Sequence, residues 1–190
     1  ISMFNGAASF GRDISKWDVS SVTLMANMFK SATSFNCDIS NWDVSKVTTM
    51  TGMFTSATSF NGDISKWKVS SVTYMDSMFS SATSFNGDIS KWDVSSVRDM
   101  QGMFFSASSF DGDLYMWDVS NVTVMVAMFS GASSFSQTLC GAWSTSKADQ
   151  DGMFDGSSGR ICEPGSPTRL LRQYVGCQAK EAMCMHKQTL

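Results

Sequence analysis

The sequence predicts an α/β repeat solenoid, leucine-rich-repeat-like, in which each coil carries a short strand and a short helix and the coils stack through a parallel sheet. Three observations lead there. The dipeptide Met3-Phe4 recurs as Met28-Phe29, Met53-Phe54, Met78-Phe79, Met103-Phe104, Met128-Phe129 and Met153-Phe154, a constant step of 25 residues. Between copies, apolar residues fall three and four apart, the spacing of one helix face. After each turn, Trp and Val alternate with charged or hydroxyl residues, which is the period of a half-buried strand.

The period decides the architecture. Ala7 to Ala132, Phe10 to Phe135, Asp13 to Asp113, Trp17 to Trp117, Val19 to Val119 and Met25 to Met125 keep the same step. A unit of this length cannot bury its apolar face alone, so neighbouring copies must cover it. We therefore expect a solenoid over residues 1–159 of about six repeats, the last one an atypical cap, and a cysteine-containing tail or cap over 160–190. The chain also starts inside a repeat, at Ile1-Ser2-Met3-Phe4, so it is expected to be a fragment or processed product whose first coil exposes Phe4 and Phe10.

Within Ser20 to Phe35, the residues Val22, Met25, Ala26, Met28, Phe29 and Ala32 predict a helix over about 21–32. Ser20 or Ser21 is suited to cap it, because a hydroxyl can accept a bond from a free amide of the first turn. Phe35 follows as a core anchor. The turns Asn36-Cys37-Asp38, Asn61-Gly62-Asp63, Asn86-Gly87-Asp88 and Asp111-Gly112-Asp113 are expected to use positive φ angles, with the Asp closing an Asx turn. The strand follows, with Trp17 and Val19 inward and Lys16, Asp18 and Ser20 outward.

Stacking would line up identical side chains. The outward ladder is Asp18, Asp43, Asp93 and Asp118, interrupted by Lys68, with Lys16, Lys66 and Lys91 two residues away to offset repulsion. The inward ladders are Phe, Trp, Met, Ile and Val, and large aromatics bury enough surface for a small coil to be stabilised by its neighbours. The 15 methionines sit at core spacing, which argues for packing and against a copper site.

Charge and cysteine usage bound the function. Residues 160–190 hold five cations against two carboxylates, a net of +3, so the −3 of the whole chain leaves −6 on residues 1–159. An acidic, Ser/Thr-rich surface argues against nucleic acid, whose phosphates need clustered Lys and Arg. No apolar run approaches the roughly 18 residues that span a bilayer, so no transmembrane segment is expected here. Cys37 stands apart, whereas Cys140, Cys162, Cys177 and Cys184 gather where the pattern ends, as in a stapled cap of an oxidising compartment. Cys140 and Cys162 lie 22 residues apart, close to one coil, and are the predicted disulfide; buried unpaired thiols are the alternative. Zinc is disfavoured by the lack of a Cys-x-x-Cys pair and the single histidine, His186.

The motif Met-Phe-x-x-Ala-x-x-Phe-Asn-x-Asp-Ile-Ser-x-Trp-Asp-Val-Ser-x-Val-Thr-x-Met resembles the 25- to 26-residue repeat of bacterial surface proteins. That repeat occurs in mycoplasma lipoproteins and Listeria surface proteins, in algae and protists, and is grouped with BspA-type leucine-rich-repeat-like proteins. The resemblance covers residues 1 to about 159. It implies an extracellular or surface-exposed solenoid used in adhesion or protein contact, with no catalytic residues. The departures are Lys68 for Asp, Arg98 for Thr and Gly11 for Asn. In the sixth unit Leu139-Cys140-Gly141-Ala142-Trp143 shifts the tryptophan by one, and 144–152 lose the Val-Ser-x-Val-Thr pattern, as a capping repeat should.

Past Cys162, Glu163-Pro164-Gly165-Ser166-Pro167 reads as a breaker and linker. Residues 168–185 fit either a docked helix or an unstructured tail; as a helix they would hold Cys177 and Cys184 about 10.5 Å apart, too far to pair.

No enzyme is expected, because the carboxylates recur as surface columns and no nucleophile elbow or phosphate loop is present. No cofactor or metal follows either, since the Asp of Asn-Gly-Asp suits an Asx turn better than calcium. The leading reading is a protein-binding, adhesion or structural module working with a protein partner or a larger surface assembly. The alternative is a binder of ice or polysaccharide through the ladder Thr23, Thr48, Thr73 and Thr123, which Arg98 interrupts. Asn121-Val122-Thr123 is the one N-glycosylation sequon, so Asn121 is a candidate modification site in a eukaryotic secretory protein. The expected location is extracellular or at the cell surface, or else a secretory or organellar lumen.

Overall fold

The computed structural model describes residues 1–163. The expectations for 164–190, including the helix and the partners of Cys177 and Cys184, lie outside the described residues. Within 1–163, successive 25-residue units lie one on the next, and a backbone ladder joins them. The amides of Met25, Asn27, Phe29 and Ser31 donate to the carbonyls of Thr49, Thr51, Met53 and Thr55 at 2.7–3.0 Å. The same four bonds recur at each step, ending with Met125, Ala127, Phe129 and Gly131 on Asp149, Asp151, Met153 and Asp155. Parallel bridges run along Leu24, Thr49, Tyr74, Asp99, Val124 and Asp149.

The helix expected over 21–32 does not form; these residues make a run of turns. Two backbone positions in each unit explain this. Asn27, Gly52, Ser77, Gly102, Ala127 and Gly152 have φ of 53–59°, and Ser31, Ser56, Ser81, Ser106, Gly131 and Gly156 have φ of 54–74°. A left-handed residue every fourth position cannot propagate a right-handed helix. It turns alternate amides along the stack, while the others close four-residue turns: Met28 on Met25, Lys30 on Asn27 and Ala32 on Phe29, at 3.1–3.3 Å. Successive turns of this kind bring residues 25, 28, 29 and 32 to one side, as a helix would. The left-handed positions themselves hold Asn, Ser and Gly, poor helix formers, with Ala127 the exception.

A second correction concerns the strand. Residues 17–19 and their equivalents form no strand; the segment is closed by turns such as the Trp42 amide on the Ile39 carbonyl at 3.1 Å and the Val47 amide on Val44 at 2.9 Å. The inward and outward assignments of its side chains agree with the structure in the covered units, with Trp42 and Val44 buried and Asp43 exposed, but in the first unit Val19 is buried and Trp17, expected inward, is exposed. The parallel ladder runs instead through the segment expected to be helical. A third correction concerns the Asn-Gly-Asp turns, because Gly62, Gly87 and Gly112 do not take positive φ. A Cβ at Gly62 would come within 3.1 Å of the Phe60 ring, so close packing, and not handedness, favours glycine. Cys37 occupies the same column.

The core is a set of side-chain columns. In the column from Phe4 to Phe154, successive ring centroids are 5.5–5.7 Å apart with planes within 8°. Each of these rings from Phe29 to Phe129 stacks on a second Phe of its own unit at 3.9–4.0 Å. Each buried indole N–H reaches back one coil: Trp42 to the Ile14 carbonyl, Trp67 to Ile39, Trp92 to Ile64 and Trp117 to Ile89, at 3.0–3.1 Å. Burying Trp therefore leaves no donor unpaired, which matters because an orphan would cost about 1–3 kcal/mol. At the first unit Phe4 and Phe10 are half-buried and Trp17 is 42% exposed, in contrast to their fully covered equivalents.

The irregular last unit has its own elements. Strand β1 (Thr138–Leu139) pairs in parallel with β2 (Arg160–Ile161), and a 3-10 turn (Gly141–Thr145) lies between them in the chain. That turn absorbs the one-residue displacement of Trp143, which is buried and donates to the Leu114 carbonyl at 3.0 Å. Arg160 and Ile161, just past the boundary expected after residue 159, pair with this unit through β1.

Candidate functional site

The stack leaves three kinds of outward surface. The first carries the predicted ladder, and Lys16, Asp18, Asp43, Lys66, Lys68, Lys91, Asp93 and Asp118 are all exposed. The carboxylates are engaged locally. Asp18, Asp43, Asp93 and Asp118 each accept the amide of the Ser two residues on, at 3.0–3.1 Å. Hydrogen bonding from Ser20, side chain before backbone, holds the Asp18 carboxyl below the usual range, and Ser120 acts likewise on Asp118. For Asp43 the bonds from Ser45 come first, with Lys68 and Lys46 adding a smaller attraction. The Asp residues of the Asn-Gly-Asp turns do the same job: Asp38, Asp63 and Asp88 accept from Ser40, Ser65 and Ser90 at 2.9–3.0 Å. These carboxylates are turn closures, and among the described residues no group of three or more His, Cys, Asp or Glu is placed to hold a metal.

The second surface consists of hydroxyl and amide ladders. Thr48 and Thr123 donate their hydroxyls to the carbonyls of Thr23 and Arg98, one coil back, at 3.1 and 2.9 Å. Asn36, Asn61 and Asn86 offer side-chain oxygens to the amides of Asn61, Asn86 and Asp111, each at 2.9 Å. Sequence reasoning cast those asparagines as turn formers; they are also clamps between coils. Asn121 is exposed, and its amide nitrogen donates to the Ser95 carbonyl at 2.8 Å. It borders an open cleft of about 490 Å³ lined by Arg98, Thr123, Thr145 and Lys147 among others.

The third surface was missed, because its residues lay in the expected helix. In the covered units, residues 25, 28, 29 and 32 and their equivalents point inward, which leaves the side chains of the 24, 26 and 30 columns on the outer side of the ladder. Side-chain contacts tie these columns together. Thr49 and Thr51 share a hydroxyl hydrogen bond at 2.9 Å, Thr51 donates to Asp76 at 2.8 Å, and Thr55 donates to the Ser77 carbonyl at 2.7 Å. Tyr74 is 48% exposed and Phe105 is 42% exposed on this side. The signal available in the sequence was variation between units. The first column reads Leu24, Thr49, Tyr74, Asp99, Val124, Asp149, whereas the core column from Phe29 to Phe154 is Phe throughout.

At the end of the stack Cys140 and Cys162 form the predicted disulfide, their Cα atoms 5.0 Å apart across the β1–β2 pair. Cys37 is half-buried and unpaired among the described residues. No helix of the described residues is long and apolar enough to cross a membrane. The repeat is also what the family comparison recognises: a family described as "Mycoplasma protein of unknown function, DUF285" matches residues 1–83 and, again, 62–160. No curated protein and no solved structure matches the chain.

Proposed function

Because the chain belongs to the DUF285 family of repeat proteins, we propose that it is a non-catalytic solenoid that acts as a protein-binding, adhesion or structural assembly module outside the cell. The observation that carries this reading is the division of labour among columns. Inward columns are apolar and nearly constant, and the regular carboxylates are used up in closing turns, so the repeat is built to hold a surface and not to assemble one reactive centre. The ladder bonds between each residue and the one 24 later support the solenoid. The finer kinship with BspA-type leucine-rich-repeat-like proteins rests on the sequence motif alone. An extracellular or cell-surface location, or a secretory or organellar lumen, is supported by the Cys140–Cys162 bridge, since disulfides persist in oxidising compartments.

Chemical cross-linking in native extracts followed by co-purification tests the reading. A stable protein partner or assembly is expected; a chain that stays monomeric and alone would count against it. The second reading, ice or polysaccharide on the threonine ladder, is weakened by the hydroxyls of Thr48 and Thr123 donating into the stack, and by Arg98 interrupting the row. Thermal hysteresis or a positive glycan array would restore it.

A further inference from the structure

We propose that the outward columns headed by Leu24, Ala26 and Lys30 are the docking surface for a protein segment of net positive charge that carries large apolar side chains. The inference rests on the reading of the chain as a protein-binding module and names the surface and the partner chemistry.

The faces of the stack contrast with one another. Elsewhere on the surface several columns repeat one solution, Asp at the column of Asp13, Asp or Lys at that of Asp18 and Ser at that of Ser20, although the column of Lys16 ends in the exposed Met116. The three columns over the ladder do otherwise. The second reads Ala26, Thr51, Asp76, Gln101, Val126, Asp151, and the third Lys30, Thr55, Ser80, Phe105, Ser130, Asp155. All three are displayed from one regular backbone, so the differences are not forced by the fold. A surface of this sort, varied in chemistry and rigid in geometry, suits a particular partner.

The composition of these columns points to the partner's chemistry. Tyr74 and Phe105 are large, exposed and central along the stack. Exposed aromatics are costly to a solvated face but are the usual anchors of an interface. Around them the charge is one-sided, with Asp76, Asp99, Asp149, Asp151 and Asp155 set against the single cation Lys30. Asp149, Asp151 and Asp155 are all exposed and share the last coil, three steps of about 5.6 Å from that of Tyr74. A cationic segment lying along the stack would meet apolar anchors first and carboxylates beyond them. A second copy of the chain is a poor occupant, because the same face turned on itself would bring these carboxylates together.

The test is to pan displayed random short peptides against the full chain. The enriched sequences are expected to be net positive and to carry aromatic or aliphatic residues, and their binding should weaken with added salt. Two variants locate them: Asp149→Asn with Asp151→Asn and Asp155→Asn, and Tyr74→Ser with Phe105→Ser. Each should weaken binding about tenfold. A control, Asp43→Asn with Asp93→Asn and Asp118→Asn, removes as many charges from another face and keeps each turn acceptor, so it should leave binding unchanged. Melting curves confirm that every variant is folded. Peptides that bind but ignore both face variants would overturn the docking surface and leave the module reading intact. Failure to enrich any peptide, with or without binding on a glycan array, would overturn both.

Discussion

Ala127 sits at φ 53°, in a column where three of the six equivalents, Gly52, Gly102 and Gly152, are glycine. A Cβ in the left-handed region costs about 1–2 kcal/mol per residue, and glycine avoids it at some entropic cost in the unfolded chain. Ala127→Gly should therefore stabilise the protein by about 1 kcal/mol, seen as a higher denaturation midpoint with an unchanged slope; a lower midpoint would mean that Ala127 is not left-handed. The turn aspartates make a second prediction at this scale. Asp13, Asp18, Asp38, Asp43, Asp63, Asp88 and Asp118 are all held below the ordinary value of 3.8 by hydrogen bonds from the Ser two residues on. Groups whose acidity is raised by folding stabilise the folded form fully above that value, and the contribution is lost as pH falls through their folded values. The guanidinium midpoint should hold steady above about pH 4 and drop below it; a midpoint flat down to pH 2 would rule out these bonds as a source of stability.

At the scale of the element, the legible and the illegible part company for one reason. The inward set (Met25, Met28, Phe29, Ala32, Trp42, Val44) was legible, because burial depends on spacing and a helix shares that spacing with a run of four-residue turns. The element type was not, because the left-handed φ at Asn27 and Ser31 leaves little trace in residues that also suit helix ends and loops. The outward columns at Leu24, Ala26 and Lys30 were lost with it: inside a presumed helix their variation looked like an ordinary wet face. The Cys140–Cys162 staple was legible, since a 22-residue separation is nearly one coil. It closes the last unit, whose sequence has lost the Val-Ser-x-Val-Thr pattern, and by the loop-entropy relation is worth roughly 3 kcal/mol. Replacing both cysteines with alanine should lower stability by about that much and first increase amide exchange at Leu139 and Ile161. Equal loosening across all coils would show that the bridge does not act locally.

For the whole molecule, each coil touches only its neighbours, so the repeat should behave as a modular unit. Deleting residues 76–100 removes one whole period and rejoins Met75 to Gln101, which then faces the same columns. The shortened chain is expected to fold, with cooperative melting and the same spectroscopic signature per residue. Removing residues 76–88 breaks the register of every column at once and should abolish cooperative melting. If both deletions fold equally well, nearest-neighbour stacking is not what stabilises the chain.

The bonds from the amides of Met25, Asn27, Phe29 and Ser31 run forward to the carbonyls of the next coil, those from Thr48, Thr73, Arg98 and Thr123 run back one coil, and all of them join neighbouring coils along the stack. This gives the protein a mechanical character. Pulled from its two ends, the stack would load each interface in series, and the weakest would open alone. Each release of a coil before the Cys140–Cys162 staple would free 25 residues, or about 85 Å of extended chain. A force–extension trace of the full chain should accordingly show a row of evenly sized steps near that length, so that the molecule yields under tension by paying out slack one coil at a time.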